Sequence, residues 1–200
     1  MAPKRPYELK ERARQQAETR RRIVEATVAL HEEVGPARTT VAEIARRAGV
    51  QRLTVYTHFP EEGELFAACS AQFISGHPPP DPAAWSEVSD PGERLRRALA
   101  ELHDWFRGGE SMLANVERDQ ALLPALGEVV TAGRGPWRAA IRSVLSPGLA
   151  TGDAAQTRRL HAAIGLGTSF GAWQWLVRRE GLADGEAVEL LARAVEAGAG

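Results

Sequence analysis

The chain has 200 residues, of which 44% are hydrophobic and 26% are charged, enough for one large or two small domains with a sizeable core. The net charge of -1 conceals an asymmetry, because residues 1–60 carry 12 Lys and Arg against 7 Asp and Glu, which leaves 13 against 19 for the remainder. A single cysteine, Cys69, excludes an internal disulfide and suits a reducing compartment.

The N-terminal segment is polar and basic. No apolar stretch follows it, so we expect no signal peptide and a cytoplasmic protein. We expect residues 1–17 to form a flexible basic arm, which either reaches into a DNA minor groove or is a disordered tail. The basic run Arg20–Arg22 is consistent with the solvated start of the first helix.

Residues 39–59 (TTVAEIARRAGVQRLTVYTHF) have the pattern of two short helices joined by a tight turn. Thr40 is predicted to cap the first helix, with the Glu43 side chain reaching back to the Thr40 amide. Gly49 can adopt the left-handed conformation that ends a helix, and the next helical run starts at Gln51. The predicted buried positions are Val41, Ile44, Ala45, Val50, Val55 and Phe59. Such a pair of helices fits a DNA major groove.

The outward face of the second helix combines residue types that suit nucleic acid. Arg52 can fork onto a guanine, and Leu53 can contact a thymine methyl group. Thr54, Tyr56 and His58 can donate to phosphate oxygens, and Thr57 adds a further hydroxyl group to this predicted DNA-binding face. The alternative interpretation is a small three-helix core with an ordinary polar exterior.

Residues 19–73 resemble the N-terminal domain of the TetR family of bacterial transcriptional regulators. The matching positions are Ile23, Ala26, Leu30, Gly35, Thr40, Ile44, Ala45, Gly49, Val50, Thr54, Tyr56, His58, Phe59 and Leu65. The resemblance implies an all-α homodimer, with an N-terminal three-helix helix-turn-helix domain and a C-terminal helical domain for ligand binding and dimerisation. It also implies that two recognition helices, here Arg52–His58, enter successive major grooves of a palindromic operator in double-stranded DNA, and that a small-molecule effector releases them.

The resemblance also assigns expected roles to single residues. Phosphate contacts are expected at Thr40, Tyr56 and His58. The residues expected nearest the base edges are Gln51, Arg52, Leu53 and Thr54, with Arg52 first for specificity.

Three departures from the family pattern limit this transfer. Glu61 and Glu62 stand where the family usually has a lysine that meets a phosphate, so we expect modest nonspecific affinity for DNA. Leu53 occupies a position that usually holds a small residue, and it either contacts thymine or packs. His31 replaces a common Phe on the buried side of the first helix, where it is either a satisfied boundary histidine or a source of pH sensitivity.

A proline-rich stretch over residues 77–90 marks the expected connection between domains, after a helix-turn-helix domain over residues 18–76. Asp90 is predicted to cap the next helix, with Pro91 at its first position and Glu93 at its third. The buried stripe of this helix is predicted at Leu95, Ala98, Leu99, Leu102 and Phe106, before Gly108 and Gly109 end it. Two further runs follow, at about residues 111–118 and 122–145, with a break or kink expected near Gly133–Pro136.

Residues 160–177 contain no Asp, Glu, Lys or Arg. A membrane span needs about 20 predominantly apolar residues, so we interpret this polar-spotted stretch as one helix buried on two sides. One side faces its own domain and the other a second subunit, and we assign the glycine-bearing side to a symmetric interface together with a final helix over residues 184–197. The interface prediction comprises Leu160, Ile164, Gly167, Thr168, Gly171, Trp175, Leu190, Leu191 and Ala194.

The second domain, residues 91–200, is expected to bind the effector. Aromatic walls with a few polar groups are typical of small-molecule sites, which selects His103, Phe106, Met112, Asn115, Trp137, Phe170, Trp173 and Gln174. The five histidines lack metal-ligand spacing and no catalytic motif is present, so we expect no metal, no cofactor and no enzymatic activity. The competing hypothesis is a dimeric module of the same type that binds a ligand or protein and has little operator affinity.

Overall fold

A computed structural model describes residues 4–149 and 152–199, and every regular element within these ranges is helical, as the sequence predicts. Eleven α-helices occur in this described part, and a short 3-10 turn (Pro36–Arg38) and a π-helical turn (Gln174–Arg179) interrupt the series. The helices are α1 (Lys4–Glu33), α2 (Val41–Ala48), α3 (Arg52–His58), α4 (Glu62–Gly76), α5 (Pro82–Trp85), α6 (Pro91–Gly108), α7 (Glu110–Asp119), α8 (Pro124–Leu145), α9 (Ala154–Gly167), α10 (Phe170–Trp173) and α11 (Asp184–Ala199).

The chain forms two compact units. The first comprises the chain up to Gly76 together with Ala114–Val130, and the second comprises His77–Leu113 and the chain from Thr131 onward. The sequence-based division assigned all of residues 91–200 to one domain. Ala114–Val130 belongs instead to the first unit, because the second half of α7 hydrogen-bonds to the segment that joins α1 to α2.

The N-terminal arm, predicted to be flexible over residues 1–17, is helical from Lys4 onward and continues into α1. Its residues explain the difference: Lys, Glu, Arg, Gln and Ala are strong helix formers. Arg14 also donates to Glu11 one turn earlier, at 2.7 Å, which adds the modest stabilisation of an exposed helical ion pair.

The core of the first unit lies where α1, α2, α3 and α4 meet. The buried side chains in this core are Ile23, Val24, Ala26, Leu30, Ile44, Ala45, Ala48, Val55, Phe59, Leu65 and Cys69. Four of the six buried positions predicted for α2 and α3 appear in this set, and the other two, Val41 and Val50, are partly buried against it. Burial raises the pKa of the Cys69 thiol to about 12, so the thiolate is disfavoured.

Helix α6 begins and ends where the sequence predicts. The Asp90 carboxylate accepts from the Glu93 amide at 2.7 Å, and Pro91 occupies the first turn. All five residues of the predicted stripe are buried, at Leu95, Ala98, Leu99, Leu102 and Phe106. Helices α9 and α11 pack with α6 to build the second unit.

Helix α8 is continuous through the Gly133–Pro136 segment, where a break or kink was predicted, so the chain does not break there. Pro136 removes one amide donor and crowds the carbonyl one turn earlier. The prolyl ring and both nearby glycines are exposed, so water can hydrate the released carbonyl and the helix tolerates the proline.

Residues 160–177 do not form one helix. Helix α9 ends at Gly167, and Ser169 starts α10 by accepting a hydrogen bond from the Ala172 amide at 3.2 Å. The π-helical turn follows directly. Across residues 4–149 and 152–199, no helix combines the length and apolar character needed to cross a bilayer.

The glycine-bearing side of α9 packs inside the chain, which corrects part of the predicted dimer interface. Leu160 and Ile164 are 0% exposed in a single chain, and a Cβ on Gly167 would lie 3.1 Å from Val195 of α11. Within the predicted set, Leu191 is also buried, whereas Trp175, Leu190 and Ala194 are exposed and Thr168 and Gly171 are half-buried. In the single chain the exposed side of α9 is therefore the opposite one, where Leu166 is 67% exposed.

Candidate functional site

The turn between α2 and α3 has the geometry of a helix-turn-helix. Thr40 caps α2 by accepting from the Glu43 amide at 3.2 Å, and Gly49 ends α2 with a left-handed φ of 65°. The Glu43 carboxylate binds Arg46, at 2.5 Å, so only half of the predicted reciprocal cap forms. A Cβ on Gly49 would be strained and would lie 2.7 Å from the Arg22 guanidinium.

Helix α3 is anchored on one side and open on the other. Val55 and Phe59 are buried, whereas Leu53 is 73% exposed and Tyr56 is 54% exposed. The Arg52 guanidinium is exposed and makes no hydrogen bond or ion pair within the described chain. The remaining predicted contact residues are also accessible, with Gln51, Thr57 and Thr40 exposed and Thr54 and His58 half-buried.

The hydroxyl of Thr57 already has a backbone partner. It donates to the Leu53 carbonyl oxygen at 2.8 Å, so it can only accept from an outside donor. Phosphate oxygens offer no donor. Among the predicted contacts on this face, Thr57 is therefore the least suited to hold a phosphate.

Two arginines of α1 hold the ends of α2 and α3. Arg20 donates to the His58 carbonyl oxygen at 2.8 Å, and its guanidinium lies 4.0 Å from the centre of the Phe59 ring. Arg22 donates to the carbonyl oxygens of Ala48 and Gly49. These acceptors are the unpaired carbonyls at helix C-termini, where cations are favoured. The sequence analysis missed this role, because nothing in the local pattern links residues 38 positions apart.

Acidic side chains surround the start of α4. Glu61, Glu62 and Glu64 are all exposed there. Carboxylates favour a helix N-terminus but repel phosphate.

A polar cluster at the end of α7, formed by Asn115, Arg118 and Asp119, binds the segment that follows α1. The Asn115 amide donates to the carbonyl oxygens of His31 and Glu32, both at 2.9 Å, and Arg118 donates to the Val34 carbonyl oxygen at 3.1 Å. The side-chain amide of Asn115 therefore binds the backbone of the first unit.

Asp119 completes this α7 polar cluster. Its carboxylate accepts from the Ala37 amide at 3.0 Å and pairs with Arg118 at 2.6 Å, and the Arg118 hydrogen bond lowers the pKa of Asp119. Gly35 allows this close approach, with a φ of 94°, since a Cβ there would lie 2.6 Å from the Asp119 carboxylate. The α7 polar cluster therefore holds the segment that leads into the N-terminus of α2, whereas Arg22 binds at the C-terminus of α2.

Comparison with known proteins finds a family match within the first unit. The model of the bacterial regulatory proteins of the tetR family covers residues 23–69, from the middle of α1 into α4. An HTH-type transcriptional regulator of Mycobacterium bovis, described as uncharacterized, is 32% identical over 108 residues, which is 52% of this chain and 53% of that protein. The similarity to the tetR family therefore covers the helix-turn-helix and the parts of α1 and α4 that flank it. It spans about half the length of the curated relatives it matches.

Solved structures of TetR-like regulators share the fold over most of the chain. FadR from Bacillus subtilis, solved in complex with stearoyl-CoA, has a TM-score of 0.60 at 16% identity, covering 88% of this chain and 97% of that one. NalD, the secondary repressor of the MexAB-OprM multidrug efflux pump in Pseudomonas aeruginosa, has a TM-score of 0.59 at 24% identity, covering 92% and 96%.

The second unit of the chain contains an aromatic cluster that includes several predicted effector residues. Phe106 lies at its centre, with ring centroids 5.6 Å from Phe170, 6.0 Å from Trp173 and 6.5 Å from His103. Trp137 contacts this cluster through Trp105, and the ring centroids of the two tryptophans lie 5.4 Å apart. The sequence analysis did not select Trp105. Met112 is buried and Gln174 is half-buried, without a ring contact to this aromatic cluster.

Two histidines are buried, one in each unit. Burial lowers the pKa of His31 to about 4, against the opposing charge of Asp119, and its ring lies 5.8 Å from the Phe66 ring. Burial also lowers the pKa of His103, with Asp184 opposing that shift. Both imidazoles are therefore neutral near pH 7. The described residues contain no group of three His, Cys, Asp or Glu side chains able to hold a metal ion.

Proposed function

We propose that the protein is a DNA-binding transcriptional regulator, a repressor that acts as a cytoplasmic homodimer on a palindromic operator and leaves it when a small molecule binds. The observation that carries this proposal is the free face of α3. Arg52, Leu53 and Tyr56 project from a helix whose other side is buried, and the described chain offers the Arg52 guanidinium no partner.

This face suits direct readout of bases. A free guanidinium can donate two parallel hydrogen bonds to a guanine in the major groove, and Leu53 can contact a thymine methyl group. Tyr56, His58 and Thr40 supply donors for phosphate oxygens, which set the position of the helix without reading sequence. Arg20 supports this role by holding the C-terminal end of α3.

Dimerisation sets the distance between the two recognition helices, which are α3 of each protomer. A two-fold axis places them about one DNA turn, roughly 34 Å, apart or a multiple of it, which matches a palindrome. The surface we assign to this contact is the outer side of α9 and α11, where Leu166 and Leu190 are 67% and 49% exposed. Trp175 of the π-helical turn is also exposed, at 52%.

The effector site is assigned to the aromatic cluster of the second unit. FadR of Bacillus subtilis was solved with stearoyl-CoA, so the shared fold is able to hold a small molecule in that protein. In this chain, α4 ends at the boundary between the units, and α7 and α8 cross it. We propose that effector binding shifts α4 near Phe66–Phe73 and thereby the reading helices, which requires the effector to prefer the state that does not bind DNA.

Selection of an operator from random DNA tests the proposal. We expect a palindromic consensus and an affinity that falls steeply with salt. Arg52→Ala is expected to relax one base position per half-site, at a cost of about 1–3 kcal/mol for the preferred base. Arg46→Ala is the matched control, because Glu43 already binds the Arg46 guanidinium.

The opposite result is equally clear. Weak binding to every duplex, with a shallow salt dependence and no consensus, contradicts the proposed regulator and fits a module that binds a ligand or protein. Retention of full base selectivity by Arg52→Ala contradicts the assigned reading residue.

A further inference from the structure

His103 of α6 is a buried polar group with unmet hydrogen-bonding capacity. The residue is 1% exposed, and neither ring nitrogen has a hydrogen-bond partner among the described residues. In the described part of the second unit it is the one buried polar or charged residue. A buried donor or acceptor without a partner costs about 1–3 kcal/mol, so a protein rarely retains one without a use for it.

The surroundings of His103 have a polar side and an aromatic side. On the polar side, Nδ1 lies 3.7 Å from the Asp184 carboxylate, just beyond hydrogen-bond distance. Asp184 also accepts from the Trp173 indole at 3.4 Å and pairs with Arg107. On the aromatic side, the Phe106 ring follows one helical turn later and leads to Phe170 and Trp173.

The nearby carboxylate selects one tautomer of the neutral imidazole. A negative charge beside Nδ1 favours the proton on that nitrogen, which leaves an unshared electron pair on Nε2. Nε2 is therefore a buried hydrogen-bond acceptor without a donor. A ligand that satisfies it has to carry an O–H or N–H group.

We propose that His103 is the polar anchor of the effector site, where Nε2 accepts a hydrogen bond from an uncharged aromatic ligand that bears a hydroxyl or N–H group. This inference rests on the proposed function and specifies the chemistry of its effector. The aromatic part of the ligand packs against Phe106, Phe170 and Trp173, which are buried beside His103.

The charges around the site favour a neutral ligand. Arg107 is paired with Asp104 and Asp184, and Arg178, whose guanidinium lies 5.0 Å from the Trp173 ring centre, is paired with Glu110. Neither cation is free to neutralise an anionic group without breaking an existing pair. An anionic ligand entering next to Asp184 would also meet a like charge.

Two matched probes test the anchor. Alpha-naphthol and its methyl ether have the same aromatic body, but only the naphthol carries a hydrogen-bond donor. Binding to the 200-residue protein is measured by calorimetry and by quenching of tryptophan fluorescence. We expect the naphthol to bind at least tenfold more tightly than the ether, although the ether is more apolar and simple hydrophobic partition favours it.

His103→Phe keeps the ring and removes both nitrogens. We expect this variant to bind the naphthol as weakly as the ether, while its affinity for the ether stays within twofold of the wild type. The inference is overturned if the ether binds the wild type as tightly as the naphthol does, if the preference survives in His103→Phe, or if neither probe binds up to its solubility limit.

Operator binding without any probe keeps the two proposals separate. We expect the wild type to bind the selected operator in the absence of either probe. Loss of operator binding by the wild type would count against the regulator, whereas the ligand preference would still be measured on the same protein.

Discussion

His31 shows what the burial of one polar side chain does to the first unit. Its ring is 4% exposed, and burial lowers the pKa of His31 from 6.5 to about 4. Below pH 6.5 the unfolded chain takes up a proton on this residue that the folded chain rejects until about pH 4. The free energy of unfolding therefore falls as the pH drops through this window.

We expect His31 to cause a loss of at most about 3 kcal/mol between pH 6.5 and pH 4. His31→Phe removes the titrating group and keeps a ring against Phe66. Urea unfolding at several pH values is expected to give the variant a smaller acid-side loss than the wild type. Parallel pH profiles for the two proteins would contradict this assignment.

Glu62 is the second case at the scale of one residue. It is exposed at the start of α4, at the position where the family resemblance implies a phosphate-binding lysine. Glu62→Lys replaces a repelled charge with an attracted one, so we expect affinity to rise several-fold for operator and random DNA alike, with a salt dependence steeper by about one charge per protomer.

The control for this charge effect lies in the other unit. Glu180→Lys makes the same change at an exposed position of the second unit, after the π-helical turn. A similar gain in both variants would mean that net charge alone acts. An unchanged affinity in Glu62→Lys would place the start of α4 away from the phosphates.

At the scale of elements, the reading helix depends on contacts from α1. Arg20 binds the His58 carbonyl and covers the Phe59 ring, whereas its neighbour Arg21 forms only exposed ion pairs with Glu18 and Glu25. Such exposed pairs contribute little to stability. The two arginines therefore differ in their contacts but not in their charge.

We expect Arg20→Ala to weaken operator binding about tenfold or more, because the C-terminal turn of α3 loses a charged hydrogen bond and a ring contact. Arg21→Ala removes the same charge and is expected to weaken binding by much less. Fluorescence anisotropy with the selected operator measures both. Equal losses would show that only the charge matters.

The same contrast explains how much the sequence predicted. The cap at Thr40, the turn at Gly49, the start of α6 at Asp90 and the buried stripes all depend on residues within two turns, and these predictions were confirmed. Contacts between residues that are far apart along the chain leave no pattern in the local sequence. The Asn115 amide binds a carbonyl 84 positions away, so its side chain looked available for a ligand.

The second unit was harder to predict for a related reason. A stretch without charges indicates burial but does not show which neighbour provides it, and α11 of the same chain covers the side of α9 that we assigned to a second subunit. The end of α9 depends on Ser169 acting as a cap in the middle of an apolar run. Neither the partner of the uncharged stretch nor the capping role of Ser169 can be assigned before the packing of the helices is known.

At the scale of the whole molecule, we assign the contact of the proposed dimer to the exposed apolar side chains of α9 and α11. Leu166→Glu with Leu190→Glu places charges there without disturbing the chain's own core. We expect the double variant to be a monomer by light scattering and to bind the operator at least tenfold more weakly, since both reading helices are needed.

Leu122→Glu is the control, because Leu122 is also 67% exposed and lies between α7 and α8. It is expected to remain a dimer with unchanged operator affinity. A double variant that still dimerises would place the contact on another surface.

Because the Cys69 thiol is buried, the proposed movement of the α3 helices can be followed with fluorescent labels attached at other positions. It is the single cysteine of the chain, and maleimide dyes react with thiolates, which this side chain does not readily form. A new cysteine at any exposed position can thus be coupled to a fluorophore on the otherwise native background. Distances between such labels on the two protomers of the proposed dimer would report directly how far the two α3 helices separate.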